Sequence, residues 1–111
     1  MHRDIKPHNV FLTRRGICKL GDFGVSKVLN KTRSKAQTLI GTPVYLAPEI
    51  ILGKGYDMKS DMWAIGIVLY EMMALKSPWT ASSLGELGQQ ISRGKYPPLP
   101  EGYSNGLKNI V

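Results

Sequence analysis

The first nine residues, MHRDIKPHN, hold an imidazole, a guanidinium, a carboxylate, an ammonium and a carboxamide, on His2, Arg3, Asp4, Lys6 and Asn9. Such groups can move protons, neutralise a bound anion and hold a hard cation through oxygen. A polar cluster of this size is common on protein surfaces, and His2-Arg3-Asp4 alone carries little weight. The spacing carries more. Asp4 is followed five residues on by Asn9 and eighteen residues on by Asp22, in the triplet Asp22-Phe23-Gly24, and Ala47-Pro48-Glu49 closes the stretch beyond.

Side chains so spaced must be gathered by the backbone between them. Val10 to Thr13 and Ile17 to Leu20 are β-prone runs, and Arg14, Arg15 and Gly16 can close them into a hairpin lying between Asn9 and Asp22. Residues 21 to 49 show no sustained period, are rich in Gly, Ser, Thr and Lys, and contain Pro43 and Pro48, which marks a long functional or flexible loop. KSDMWAIGIVLYEMMAL, from Lys59 to Leu75, predicts one helix of about four to five turns. It is apolar almost all round, so it is expected at the buried centre of a helical domain, with Met62, Met72 and Met73 as core filler. Ser83 and Glu86 have capping-box spacing and Gly94 is a stop signal, so 83 to 93 is a second helix, weakened by Gly85 and Gly88. KYPPLPEGY is extended loop, and Ser104 caps a third helix that has barely begun at Val111.

Composition limits what the chain can be. At 111 residues with 42% apolar content it has material for the core of one domain, and 21% charged residues is too few for a solvated tail. Fifteen Lys and Arg against eight Asp and Glu give +7, with the excess on Arg14, Arg15, Lys19, Lys27, Lys31, Arg33 and Lys35. That bias suits phosphate-bearing partners and equally a soluble surface; without a stripe of interleaved aromatics, no nucleic acid is expected. The single cysteine, Cys18, lies in an apolar strand pattern, which points to a buried thiol in a reducing, intracellular setting and leaves no disulfide or zinc site. Met62 to Leu75 is too short for a membrane span and carries Glu71, and no signal-peptide pattern is present.

The ordered set HRDIKPHN, GDFG, GTPVYLAPE and SDMWAIG resembles the catalytic half of the eukaryotic protein kinases. HNVFL, Gly21 before Asp22, and GKYPPLPEGYSNGLKNIV are similar to the NIMA-related (Nek) serine/threonine members. The chain departs from many of these at Ala47, where serine is usual, and near Ile67, where cysteine is. Phosphoryl transfer needs its reactants positioned and the phosphate charge neutralised. The resemblance implies that Asp4 is the base for the acceptor hydroxyl, that Lys6 neutralises the transferred phosphate, and that Asn9 and Asp22 hold Mg2+ against the phosphates of ATP. Phe11 would form the floor under adenine. Arg3 would bind a phosphate on the activation loop, with Thr38 the best candidate to carry it and Thr32 and Ser34 less favoured. Lys6 and Thr42 together imply serine or threonine as the acceptor. His2 and Phe23 would be stacked spine residues, Asp61 would hold the catalytic-loop backbone, and His8 would be a solvated loop residue.

The implied fold is mainly α, and α+β within a full kinase: a large lobe with a small β-hairpin, truncated at both ends and without the small lobe. Its parts would be a catalytic loop at 1–9, the hairpin at 10–20, an activation segment at 22–49, a buried central helix at 59–75 and incomplete C-lobe helices at 83–111. No Gly-rich phosphate loop, strand lysine, partner glutamate or hinge is found in the chain, so in isolation it is expected to be inactive. The arginine that pairs with Glu49 in the family would lie beyond Val111, and breaking such a buried pair costs about 3–5 kcal/mol. The implied partners are ATP and a protein carrying the Ser/Thr acceptor, with no membrane and no stated oligomeric state. The expected setting is cytoplasmic, with cytoskeletal association implied only by the resemblance. The alternative is a non-catalytic binding module that docks partners through the helix at 83 to 93 and KYPPLPEGY. Thr38→Ala in a complete enzyme is expected to lower phosphate incorporation into substrate; unchanged activity would remove Thr38 from the switch.

Overall fold

In the computed structural model, which describes residues 1–21 and 43–111, the chain first reverses at Gly16, whose φ of 75° lies in the left-handed region open to glycine. Strands β1 (Val10–Leu12) and β2 (Cys18–Leu20) pair antiparallel, with Phe11 opposite Lys19 and Leu12 opposite Cys18. Thr13 closes the turn: its N–H donates to the Ile17 carbonyl at 2.9 Å, and its Oγ1 accepts from the Ile17 N–H at 3.0 Å. The hairpin is the expected one, with its strands slightly shorter. Cys18, however, is exposed and not buried, as is all of β2. An apolar strand pattern specifies faces without saying what covers them, and a two-stranded ribbon has little to cover its own.

Helix α1 (Pro48–Ile51) starts on a proline, whose missing N–H is no loss at that position. Helix α2 (Met58–Ala74) starts at a reciprocal cap. Asp57 Oδ1 accepts from the N–H groups of Lys59 at 2.7 Å and Ser60 at 3.1 Å, while Ser60 Oγ accepts from the Asp57 N–H at 3.2 Å. This pair places the start one residue before the sequence reading. The helix ends where Leu75 turns left-handed at φ 54°.

α2 is not the all-round buried helix expected at 59–75. Ser60, Ala64, Ile67, Val68, Tyr70 and Met73 are buried, but Met58, Met62 and Met72 are more than half exposed and Ile65 is 37% exposed. Met73 is therefore core filler, whereas Met62 and Met72 are not. A helix apolar on every side has no polar stripe to mark its outer face, so its sequence cannot say which side is covered.

Helix α3 (Leu84–Arg93) is capped by Ser83, whose Oγ accepts from the Glu86 N–H at 3.2 Å, and it stops at Gly94 with φ 61°. Only half of the expected capping box forms. The Glu86 carboxylate passes Ser83 and accepts instead from the N–H of Ser82 at 2.9 Å and its hydroxyl at 2.8 Å. Helix α4 (Asn105–Lys108) is capped by Ser104, and residues 95–100 form no regular element. None of the described helices is long and apolar enough to cross a membrane.

Two apolar clusters hold these elements together. Ile67, Trp79, Leu87 and Ile91 join α2 to α3, and Trp63 stacks on Trp79 at 5.9 Å with nearly parallel rings. Ile5, Ala64 and Val68 join α2 to the residues around Asp4. Tyr45 packs against both clusters and donates its hydroxyl to Glu71 at 2.7 Å. Burial of an aliphatic or aromatic side chain of this size contributes about 1.5–3 kcal/mol.

The two glycines of α3 differ in their surroundings. A Cβ at Gly85 would meet open space, whereas one at Gly88 would lie 3.2 Å from Ile51 Cγ2 of α1. Gly85→Ala is therefore expected to raise stability by about 0.5–1 kcal/mol in urea denaturation, the ordinary helix gain over glycine. Gly88→Ala should gain distinctly less or lose, because Ile51 has to move.

Candidate active site

Asp61 lies in the first turn of α2, where the helix dipole favours a carboxylate. Its Oδ2 accepts from the His2 N–H at 2.8 Å, and its Oδ1 accepts from the Arg3 N–H at 2.9 Å and from the Tyr56 hydroxyl. Burial opposes the charge, but the Tyr56 hydroxyl and the two backbone N–H groups outweigh it and hold the carboxyl below its usual range. Burial, and then Asp61 itself, push the Tyr56 phenol up. These bonds span almost sixty residues of sequence and fix Arg3 at φ 68°. That conformation costs a non-glycine residue about 1–2 kcal/mol. Hydrogen bonds to a charged acceptor contribute about 1.5–3 kcal/mol each, enough to hold it.

The left-handed turn at Arg3 delivers Asp4 to its neighbours. Asp4 Oδ2 lies 2.9 Å from Lys6 Nζ and accepts from Asn9 Nδ2 at 3.0 Å, and the same amide donates to the Asp4 carbonyl at 2.6 Å. Asn9 is buried at the end of a 3-10 turn, Pro7–Asn9, closed by its N–H on the Lys6 carbonyl at 3.0 Å. With the amide nitrogen turned to Asp4, the other end of the side chain is a carbonyl oxygen, a donor that suits Mg2+. Lys6 and Asp4 keep 22% and 39% of their side-chain surface, and an ion pair in that setting is worth about 0–1 kcal/mol. Stability is therefore a weak reason for the pair.

His2 ties this loop to the far end of the hairpin. Its Nδ1 accepts from the Asp4 N–H at 3.3 Å and its Nε2 meets the Gly21 carbonyl at 2.9 Å, so one neutral tautomer, protonated at Nε2, satisfies both. The Gly21 N–H donates to the Asn9 carbonyl at 2.8 Å. The residue next to Asp22 is thus fastened to both His2 and Asn9. A Cβ at Gly21 would come within 2.5 Å of the Phe11 ring, so any larger residue there would have to displace that ring.

Of the residues singled out by spacing and resemblance, the fold brings together His2, Arg3, Asp4, Lys6, Asn9 and Asp61. Phe11 lies on β1 with its ring over Gly21 and is 55% exposed. His8 is exposed in the 3-10 turn. Glu49, expected to need a partner beyond Val111, is partly buried and accepts a hydrogen bond from the buried Ser60 hydroxyl. Asp22, Phe23, Thr32, Ser34, Thr38 and Thr42 lie outside the described residues. Among the described residues no group of three or more His, Cys, Asp or Glu is arranged to hold a metal. The sequence reading missed Tyr56 and Ser60, whose only local signals are their positions just before Asp61. A small cleft lined by Arg3, Asp4, Ile5, Tyr45, Leu46 and Tyr56 brings the residues after 42 beside Asp4.

The sequence profile of the protein kinase domain matches residues 1–102. Over its whole length the chain is 49% identical to the probable serine/threonine-protein kinase nek3 of Dictyostelium discoideum and 48% identical to the serine/threonine-protein kinase Nek1 of Mus musculus. It is 43% identical to the G2-specific protein kinase nimA of Emericella nidulans. The chain spans 10%, 9% and 16% of the lengths of these three relatives.

Because Asp61 is held ionised, the stability it contributes is present above its ordinary value of 3.8 and is lost as pH falls through the lower folded value. Asp61→Ala is expected to cost about 2–3 kcal/mol near neutral pH by urea denaturation. The variant should also lose less stability than the parent below pH 3.8. Equal acid sensitivity in both would show that Asp61 is not the group concerned.

Proposed function

The chain belongs to the protein kinase family and resembles its NIMA-related serine/threonine members, and from that premise we propose that it is part of the large lobe of a kinase that transfers phosphate from ATP to serine or threonine in proteins. The observation that carries this reading is the arrangement around Asp4: a carboxylate held between Lys6 and Asn9 on a backbone fixed by Asp61.

In this reading Asp4 accepts the proton of the substrate hydroxyl and aligns its oxygen for attack. Lys6, within reach of Asp4 and only partly exposed, swings to the transferred phosphate and offsets its charge. The carbonyl end of Asn9 and the carboxylate of Asp22 would hold Mg2+, and Phe11 and Asp22 would serve the nucleotide. When bound, Mg2+ and ATP supply the transferable phosphoryl group with its charge partly neutralised. Protein kinases as a family use both, which supports their assignment here.

His2 keeps residue 21 in register with the Asp4 loop through its hydrogen bond to the Gly21 carbonyl; the stacked-spine role of His2 and Phe23 is carried over from the family resemblance. Arg3 presents an exposed guanidinium for a phosphate on the activation segment, with Thr38 as the group modified. Lys6 and Thr42 set the serine/threonine preference. Glu49, through Ser60, fastens the end of that segment to α2.

The test is Asp4→Asn in the native protein that carries this segment. Turnover should fall by about 10²–10⁴-fold, the usual contribution of a positioned base, with KM for ATP little changed. Phosphate should appear on serine and threonine. Full turnover by the variant would remove Asp4 from its role, and phosphotyrosine as the main product would overturn the acceptor assignment.

A further inference from the structure

Tyr56 stands between α1 and α2, outside every motif that marks the site, yet it touches two of the site's fixed points. Its hydroxyl donates to Asp61 Oδ1, the same oxygen that accepts from the Arg3 N–H. Its ring lies beneath the other end of the same arginine, with Arg3 Cζ 6.0 Å from the ring centroid, within cation–π range.

We propose that Tyr56 is a positioning residue: its hydroxyl completes the hydrogen-bond set on Asp61 while its ring supports the Arg3 guanidinium, so that one side chain sets both the backbone and the head group of Arg3. Asp4 follows Arg3 directly, so whatever holds the left-handed turn at Arg3 also sets where Asp4 points. The importance of this for phosphoryl transfer rests on the proposed function, but the hydrogen-bond geometry does not.

The physical argument is about freedom. Two backbone N–H groups arriving from one side leave a carboxylate able to tilt; a third donor from a different segment fixes its plane. Tyr56 is partly buried, so its hydroxyl loses water on folding and needs a strong acceptor, which the ionised Asp61 provides. The ring contact limits the rotamers of a long exposed side chain that would otherwise be free. Among the described residues, Asp61 is influenced by the Tyr56 hydroxyl and by the backbone N–H groups of Arg3 and His2, and Tyr56 by Asp61, Arg3 and Glu49.

The test is NMR of the full chain and of its Tyr56→Phe and Tyr56→Leu variants, following the His2 and Arg3 amides through an acid titration together with the Arg3 Nε–H signal. Removing the hydroxyl takes away a donor that favours ionised Asp61. The midpoint of the two amide titrations should therefore move to higher pH in both variants. The Arg3 Nε–H signal should keep its ring-shifted position in the Phe variant and lose it in the Leu variant. The Trp79 indole N–H, bonded to the Lys95 carbonyl at 3.0 Å, reports whether each variant remains folded. Should the Leu variant unfold, the Phe variant decides the matter through the midpoint alone. An unmoved midpoint in a folded Phe variant would overturn the proposal, as would an unchanged Arg3 Nε–H signal in a folded Leu variant. The readout involves no phosphoryl transfer, so this assignment and the kinase reading can fail separately.

Discussion

One carboxylate carries the constraint on which the site depends. Asp61 is anchored in the first turn of a seventeen-residue helix, and its three donors come from His2, Arg3 and Tyr56. The Arg3 backbone is strained, and strain of this kind persists only where surrounding bonds over-determine it. Helix α2 supplies a rigid base and the ionised acceptor supplies the strength.

The remainder of the site is a set of short links hung from that anchor. His2 reaches Gly21, Gly21 reaches Asn9, and Asn9 reaches Asp4, a closed circuit in which each group has a partner and little freedom to drift. The circuit joins the two ends of the hairpin, so β1 and β2 act as a spacer bringing residue 21 beside residue 9. Tyr45 does comparable work for the helices. It packs against both apolar clusters and bonds to Glu71, so the residues that line the cleft beside Asp4 are seated on the same helix as Asp61. A site built this way is held by the core, as positioning to within about an ångström requires.

Much of the local structure was legible in advance because it depends on neighbours in sequence. The hairpin turn needed only Gly16 between two β-prone runs, and the caps at Ser83 and Ser104 needed only a hydroxyl ahead of a helical stretch. The reading went wrong where distant surroundings decide. A uniformly apolar α2 reads as buried on all sides, Cys18 reads as buried because its neighbours are apolar, and capping-box spacing assigns the Glu86 carboxylate to Ser83, whereas it bonds to Ser82. In each case the residue types were compatible with more than one arrangement, and packing chose.

The sequence by itself determined which chemical groups are present, their order, and hence the kinase family to which the chain belongs, because those properties reside in residue identity and spacing. Only the tertiary structure decided that Asp61 grips the backbone of His2 and Arg3, that Tyr56 completes that grip, and that Ser60 serves Glu49 while capping α2. Contacts across almost sixty residues leave no periodic trace in a sequence. They exist because the α2 face that buries Ala64 and Val68 against Ile5 also places Asp61 beneath the loop that Ile5 anchors.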